Sequence, residues 1–162
     1  MVKNRPAPDY ETGPVTRSLR VASLLGIVAL SFYVLWRYPS LPEIVPTHFD
    51  FTGQPDDFGS RSSLLWLAGI MLIMGVLIAW ASTKPHVLNY PGDITGANAQ
   101  RLYREGERLM VWVLAGVAVV YLGIVLQTFA DTGSVVLIVG LVVLMGSTLA
   151  GLVRMVIAET PN

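Results

Sequence analysis

The chain has 162 residues, 53% hydrophobic and 14% charged, with a formal net charge of zero and no cysteine. Soluble domains carry about a quarter charged residues, so this composition argues against an ordinary water-soluble globule, and the balanced charge offers nothing global to nucleic acid. The missing cysteines exclude disulfides, thiolate metal sites and a thiol nucleophile.

In chain order, residues 1–18 come first, with Asn4, Pro6, Pro8, Asp9, Gly13 and Pro14, and read as a disordered arm. Val21 to Trp36 then gives 16 uncharged residues between Arg20 and Arg37. A helix of that length covers roughly 24 Å, short of a bilayer core of about 30 Å that takes roughly 20 residues. Snorkelling of Arg20 and Arg37 and interfacial Tyr33, Trp36 and Tyr38 would offset the mismatch. The run exceeds a signal-peptide core of about 7–15 residues. It has no small-x-small cleavage pattern beside it, and reads as a signal anchor.

Residues 38–61 follow as a polar-aromatic loop, and then three further uncharged runs of 22 residues each: Ser62–Thr83, Leu109–Ala130 and Thr132–Val153. A water-facing helix needs a polar face; Leu64 to Ala81 has none. The expected fold class is therefore an all-α integral membrane protein. Its membrane domain would cover residues 19–158, with four transmembrane helices as two hairpins (spans about 20–37, 63–83, 109–129 and 134–156) and a short extended or turn element in the first outer loop. Nine of the eleven Lys and Arg residues lie in the arm, the 84–108 loop and the C-terminal end. By the positive-inside rule both termini are expected in the cytoplasm and residues 38–61 outside. The expected setting is a bacterial plasma membrane.

The 84–108 loop is broken at Pro85, Pro91 and Gly92. Thr95 is the expected cap of a helix running from Ala97 into span three, its first part read as a solvated surface helix with Arg101–Glu105 and Arg104–Glu107 pairs. The runs contain no ionisable residue. Their polar residues (Ser23, Ser31, Tyr121, Gln127, Ser147 and Thr148) suit helix packing better than mid-depth ion binding. Gly146-x-x-x-Ala150 and Ser147-x-x-x-Gly151 have close-approach spacing, which serves either packing of spans three and four or a homodimer.

Residues 41–61 hold the chemistry. In an extended strand Thr47, Phe49 and Phe51 share one face and His48 and Asp50 the other. Thr52-Gly53 and Pro55-Asp56 supply turn residues, and Ser62 or Ser63 is the expected cap of the next helix. His48 and Asp50 read either as partners within a folded loop or as half a metal site. Glu43, Asp56 and Asp57 complete no ligand spacing, so no metal and no cofactor are expected. Without a nucleophile constellation, no enzyme is expected either.

The string Leu41-Pro42-x-x-Val45-Pro46-Thr47-His48-Phe49-Asp50-x-x-Gly53-x-Pro55-Asp56-x-Phe58-Gly59-Ser60-Arg61 resembles the signature of the membrane family called domain of unknown function 1648. Asn89-Tyr90-Pro91, Thr95, Asn98-Ala99 and Tyr103 are similar to that family's pattern at the entry to span three. The resemblance covers roughly residues 20–125. The domain also forms the front part of SdpI-type immunity proteins, which protect a producer from its own toxin and sequester a repressor. This chain ends after span four, without the further spans and the Asn/Arg/Thr-Pro-Trp-rich segment of their back half. The resemblance therefore implies the shorter family of undefined activity.

Cluster and resemblance together nominate Pro46, Thr47, His48, Phe49, Asp50, Gly53, Asp56, Phe58 and Arg61 as outer-loop binding residues. The resemblance alone adds Asn89, Tyr90, Pro91, Asn98 and Tyr103 in the inner loop. The expected partners are the lipid bilayer and a peptide or protein, with a homodimer as an option and nucleic acid excluded. The expected function is that of a non-enzymatic sensor or accessory protein; the alternative is a small channel or transporter component.

Overall fold

The computed structural model describes residues 5–50, 52–130 and 134–159. Lys3 and Asn4 of the arm, Phe51, and Asp131 to Gly133 of the expected outer turn lie outside the described residues. Four helices dominate: α1 (Pro14–Arg37), α2 (Ser62–Ser82), α3 (Ala99–Ala130) and α4 (Val135–Glu159). Between α1 and α2 stands an antiparallel pair of strands, β1 (Ile44–Phe49) and β2 (Pro55–Ser60). All four helices are long and apolar enough to cross a membrane.

α1 is longer than its uncharged run. Proline is well placed at a helix start, where its missing N–H is not needed, and Pro14 begins this helix directly after Gly13. The 24 residues reach roughly 36 Å at 1.5 Å per residue, so the helix is longer than a bilayer core of about 30 Å although its uncharged run is not. Arg20 is then inside the helix rather than at its end. It does not snorkel outward but turns inward to the buried Glu107 carboxylate.

α1, α2 and α3 pack on one another, and α4 lies mainly along α3. The central core joins Ile27 and Val34 of α1, Leu64 and Ala68 of α2, and Leu114 and Tyr121 of α3. Ser31 Oγ donates to the Ile27 carbonyl at 2.9 Å and lies 3.3 Å from the Tyr121 hydroxyl. Ser147 and Thr148 bond back to the Leu144 carbonyl. These polar groups are satisfied within the helices, as groups in hydrocarbon must be.

α3 and α4 run antiparallel at close range. A Cβ on Gly123 would sit 2.5 Å from the Leu137 Cα, one on Gly140 2.6 Å from the Val120 N, and one on Gly116 2.8 Å from the Leu144 Cα. Gly151 instead faces the Leu109 side chain, whose Cδ1 a Cβ would approach to 2.5 Å, whereas a Cβ on Gly146 meets nothing within 4 Å. Of the two small-residue spacings, the one through Gly151 thus serves α3–α4 packing and Gly146 faces outward.

The outer faces of the helices are apolar: Phe32, Ile70, Ile73, Leu77, Val142, Met145 and Leu149 are all exposed. The four tryptophans are exposed too, at two levels. Trp36 and Trp66 flank the β-hairpin, while Trp80 and Trp112 lie toward the opposite end, where the arm and the Pro85–Asn98 segment sit. Water would penalise such a surface and lipid would not, and tryptophan favours the two membrane–water boundaries.

Residues 5–13, expected to be disordered, instead lie against the first turns of α3. Arg5 donates to the carbonyls of His86 (3.0 Å) and Leu88 (2.6 Å), and Asp9 and Ala7 bracket Gln100 through backbone bonds of 3.0 and 2.9 Å. The surface helix is not separate either. It is the first part of α3, whose 32 residues extend roughly 48 Å, longer than the roughly 30 Å of a bilayer core. The Thr95 cap is present, in reciprocal form. The Asn98 N–H lies 3.3 Å from Thr95 Oγ1, and the Thr95 N–H donates to Asn98 Oδ1 at 2.8 Å, the capping-box geometry with asparagine in the acidic position.

Candidate functional site at the hairpin end

The hairpin is built on a turn that Asp50 organises. Its Oδ1 accepts from the Thr52 N–H (2.8 Å), the Thr52 hydroxyl (2.6 Å) and the Gln54 N–H (2.9 Å). These donors, the Thr52 hydroxyl first, hold the exposed Asp50 carboxyl below its ordinary range. The Gly53 N–H closes the turn on the Asp50 carbonyl at 2.8 Å, and Gly53 has φ of 78°, a left-handed conformation that favours glycine.

The tip does not hang free. The Gln127 amide of α3 donates to the Gly53 carbonyl, and the Gly53 Cα sits so close to Ser134, just before α4, that a Cβ would overlap it. The root is fixed too. Leu41 and Val45 enter the bundle core. Arg61 donates to the Leu41 carbonyl at 3.1 Å, its guanidinium lies 5.2 Å from the Tyr38 ring centroid, and its N–H bonds the Glu43 carbonyl at 2.9 Å. Arg61 and Gly53 are therefore the residues that seat the hairpin.

The second strand was not expected, since Pro55-Asp56 reads as turn chemistry. The strict alternation is also corrected. Bulges between Pro46 and His48 and between His48 and Phe49 shift the register, so that His48 faces Asp57 and Phe49 faces Pro55. A bulge turns a side chain out of the regular pleat. His48 accordingly meets Asp56, its Nδ1 2.5 Å from the carboxylate Oδ1, and not Asp50. The pair is open to solvent, 68% exposed at His48 and 46% at Asp56. Ile44 and Phe58 are exposed on the same hairpin and line a shallow groove with Tyr38, Glu43 and Arg61. Thr47 is exposed, and Pro46 and Phe49 are half-buried. The helix cap is likewise corrected. Arg61 precedes α2 without a side-chain cap, and it is Ser60 Oγ that lies 3.3 Å from the Ser62 N–H. Among the described residues no three of His, Asp and Glu converge in a metal-binding group.

The inner-loop candidates collect at the other end and divide by role. Tyr90 donates its hydroxyl to the Pro85 carbonyl at 2.8 Å, stacks near Tyr103 (ring centroids 5.9 Å apart) and fills the space that Gly106 leaves. Burial, with the neighbouring Tyr103 second, raises the Tyr90 phenol above its ordinary range. Asn98 ties the loop to the end of α4 through the carbonyls of Asp93 (3.0 Å) and Glu159 (3.4 Å). Asn89 and Pro91 are exposed.

Beside this cluster is a group that the sequence reading missed. Glu107, 4% exposed, receives Arg20 of α1 and the Thr12 hydroxyl (2.7 Å). Tyr10 lies beside it, donating to the Tyr103 carbonyl at 3.1 Å, its phenol raised by burial and then by the Glu107 carboxylate. The expected Arg104–Glu107 pair is replaced. Arg104 lies over the Tyr10 ring, and Glu105 pairs with Arg108 at 2.6 Å.

Residues 25–73 match the family described as Domain of unknown function (DUF1648). That segment runs from the middle of α1 through the hairpin and half of α2. An uncharacterized protein of the archaeon Archaeoglobus fulgidus is 42% identical over 73 residues, which is 45% of this chain and 38% of that relative. The chain thus spans well under half the length of the relative it matches. No solved structure matches.

Proposed function

We propose that the chain is a multi-pass membrane protein in which the hairpin is a non-enzymatic recognition element outside the cytoplasm and the arm is a cytoplasmic contact. Its four helices then form two antiparallel transmembrane hairpins with both termini inside. The observation that carries the recognition role is a contrast within one hairpin. Its tip and root are locked to the bundle through Gly53 and Arg61, while His48, Asp56, Ile44 and Phe58 stay open to solvent. Side chains held out from a rigid seat suit binding of a peptide or protein partner, with the apolar pair as anchor and the His–Asp pair as polar selector.

The test has two arms. A reporter active only outside the cytoplasm, fused at residue 55, gives signal, and one fused at residue 95 stays silent; the reverse pattern inverts the orientation. His48→Ala and Asp56→Ala proteins insert at parental levels yet lose protection in a toxin or envelope-stress assay. Parental protection by both variants makes the hairpin a structural cap.

A further inference from the structure

We infer that the outer trough between α3 and α4, at the end where the arm lies, binds one anionic phospholipid. The headgroup phosphate would lie on Arg108 and Arg154 and an acyl chain along Trp112, Val142 and Gly146. The inference rests on the reading that these helices lie in a bilayer, and on three observations.

The first is shape. A groove of about 400 Å³ lies between the two helices with Leu109, Trp112, Val142, Gly146 and Ala150 on its walls. It shares Glu105, Arg108 and Arg154 with a second groove of about 450 Å³ that continues to Arg101 and Arg104. Apolar trough and polar mouth are therefore one continuous surface.

The second is charge. Four arginines and one glutamate line the mouth. Glu105 is committed to Arg108, and among the described residues Arg154 has no acidic partner. A positive mouth directly above an apolar trough complements a phosphate joined to acyl chains, and basic pockets between membrane helices select anionic headgroups. Trp112 marks the depth of the interface, one to two turns along α3 from Arg108, so the guanidinium sits where phosphates lie.

The third is Gly146. The α4 glycines 140 and 151 are occupied by close approach to α3, whereas nothing approaches Gly146. Its missing side chain leaves the trough open.

The test uses the full chain in neutral detergent. Native mass spectrometry compares retention of phosphatidylglycerol with that of phosphatidylcholine of the same acyl chains. The parent should prefer phosphatidylglycerol, by about fivefold for each contributing arginine at ~1 kcal/mol apiece. Arg154→Gln should lower that preference about fivefold, and adding Arg108→Gln should lower it by less than a further fivefold, because Arg108 already pairs with Glu105. Gly146→Leu should weaken retention of both lipids, with melting temperatures unchanged because all three positions are exposed. Equal retention of the two lipids by the parent overturns the inference, as does a preference that survives the double variant. Displacement of the lipid by millimolar inorganic phosphate would reveal a phosphate site instead. Crosslinking of Gly146→Cys, in a chain with no other cysteine, together with no lipid retention, would give the face to a second copy. Membrane fractionation of the parent reports separately on whether the helices insert at all.

Discussion

Replacing Gly53 by alanine probes how the hairpin is seated. The φ of 78° costs an L-residue ~1–2 kcal/mol. The new methyl would overlap Ser134, whose Cα is only 3.2 Å from where it must go, and overpacking of this kind costs ~1–3 kcal/mol. Together the substitution should weaken docking of the tip by ~2–5 kcal/mol. If the turn retreats to relieve the overlap, the Gln127 amide loses its acceptor, and an unsatisfied buried amide costs ~1–3 kcal/mol of its own, so retreat offers little relief. Chymotryptic cleavage after Phe49 in detergent reports the population of undocked hairpin when opening is fast relative to cleavage. It should rise at least about 30-fold at the lower estimate. Adding Ser134→Gly to the same chain removes the overlapping Cβ and should return most of the packing share, leaving about the φ penalty alone. Parental cleavage of Gly53→Ala, or a double variant no better than the single, would refute the seating argument.

Four further outcomes follow from the same contacts. Glu107→Gln leaves the half-buried Arg20 without a counter-charge and should cost up to ~3 kcal/mol, read as a lowered melting temperature, whereas Glu107→Leu with Arg20→Met should recover most of it. Gly140→Ala, facing the Val120 backbone, should destabilise by ~1–3 kcal/mol, while Gly146→Ala, facing open space, should leave the melting temperature unchanged or slightly raised. His48→Ala should change stability by no more than ~0.5 kcal/mol, as an exposed pair contributes little, so any lost phenotype is a binding effect. Asp50 is held below its ordinary range in the fold, so its turn contributes stability above the unfolded carboxyl range. That contribution is lost as pH falls through the depressed folded value. Hydrogen exchange at the Thr52 and Gln54 amides, corrected for its intrinsic pH dependence, should therefore accelerate on acidification, and Asp50→Asn should abolish that dependence.

The helices were legible because a helix able to cross a membrane must be apolar on every face. Runs such as Leu64 to Ala81 meet that demand without exception. The turn at Asp50–Gln54 was legible for a similar reason, since Gly53 supplies the one backbone conformation that other residues avoid. The pairings were not. Two-residue alternation places His48 with Asp50, but it holds only in a regular strand, and two bulges hand His48 to Asp56. Glu107 was assigned to Arg104 by helical proximity. It faces the core, however, where Arg20, 87 positions away in sequence, is the cation within reach. Proline and glycine likewise suggested a disordered arm, whereas Arg5, Tyr10 and Thr12 each find a partner on or beside α3 that local composition cannot show.

α3 is the element common to both ends. Gln127 holds the hairpin tip and Glu107 receives the arm and α1. The 20 residue steps from Glu107 to Gln127 span roughly 30 Å of helix, about the thickness of a hydrocarbon core. Between Arg108 and Gln127 α3 carries no Asp, Glu, Lys, Arg or His, so no charged side chain along that length offers an ion a mid-depth stop, and the helix is better suited to carry position than charge. A ligand on the hairpin shifts an equilibrium only by binding one state more tightly than another. For a sensor, the second state must therefore be one in which α3 moves and disturbs the Glu107 cluster. Gln127→Ala, which frees the tip from α3, should then uncouple the ends. Ligand would still bind at His48 and Asp56, but hydrogen exchange at residues 7–12 would no longer respond to it. An arm that responds equally in the variant and the parent would show that α3 is not the route.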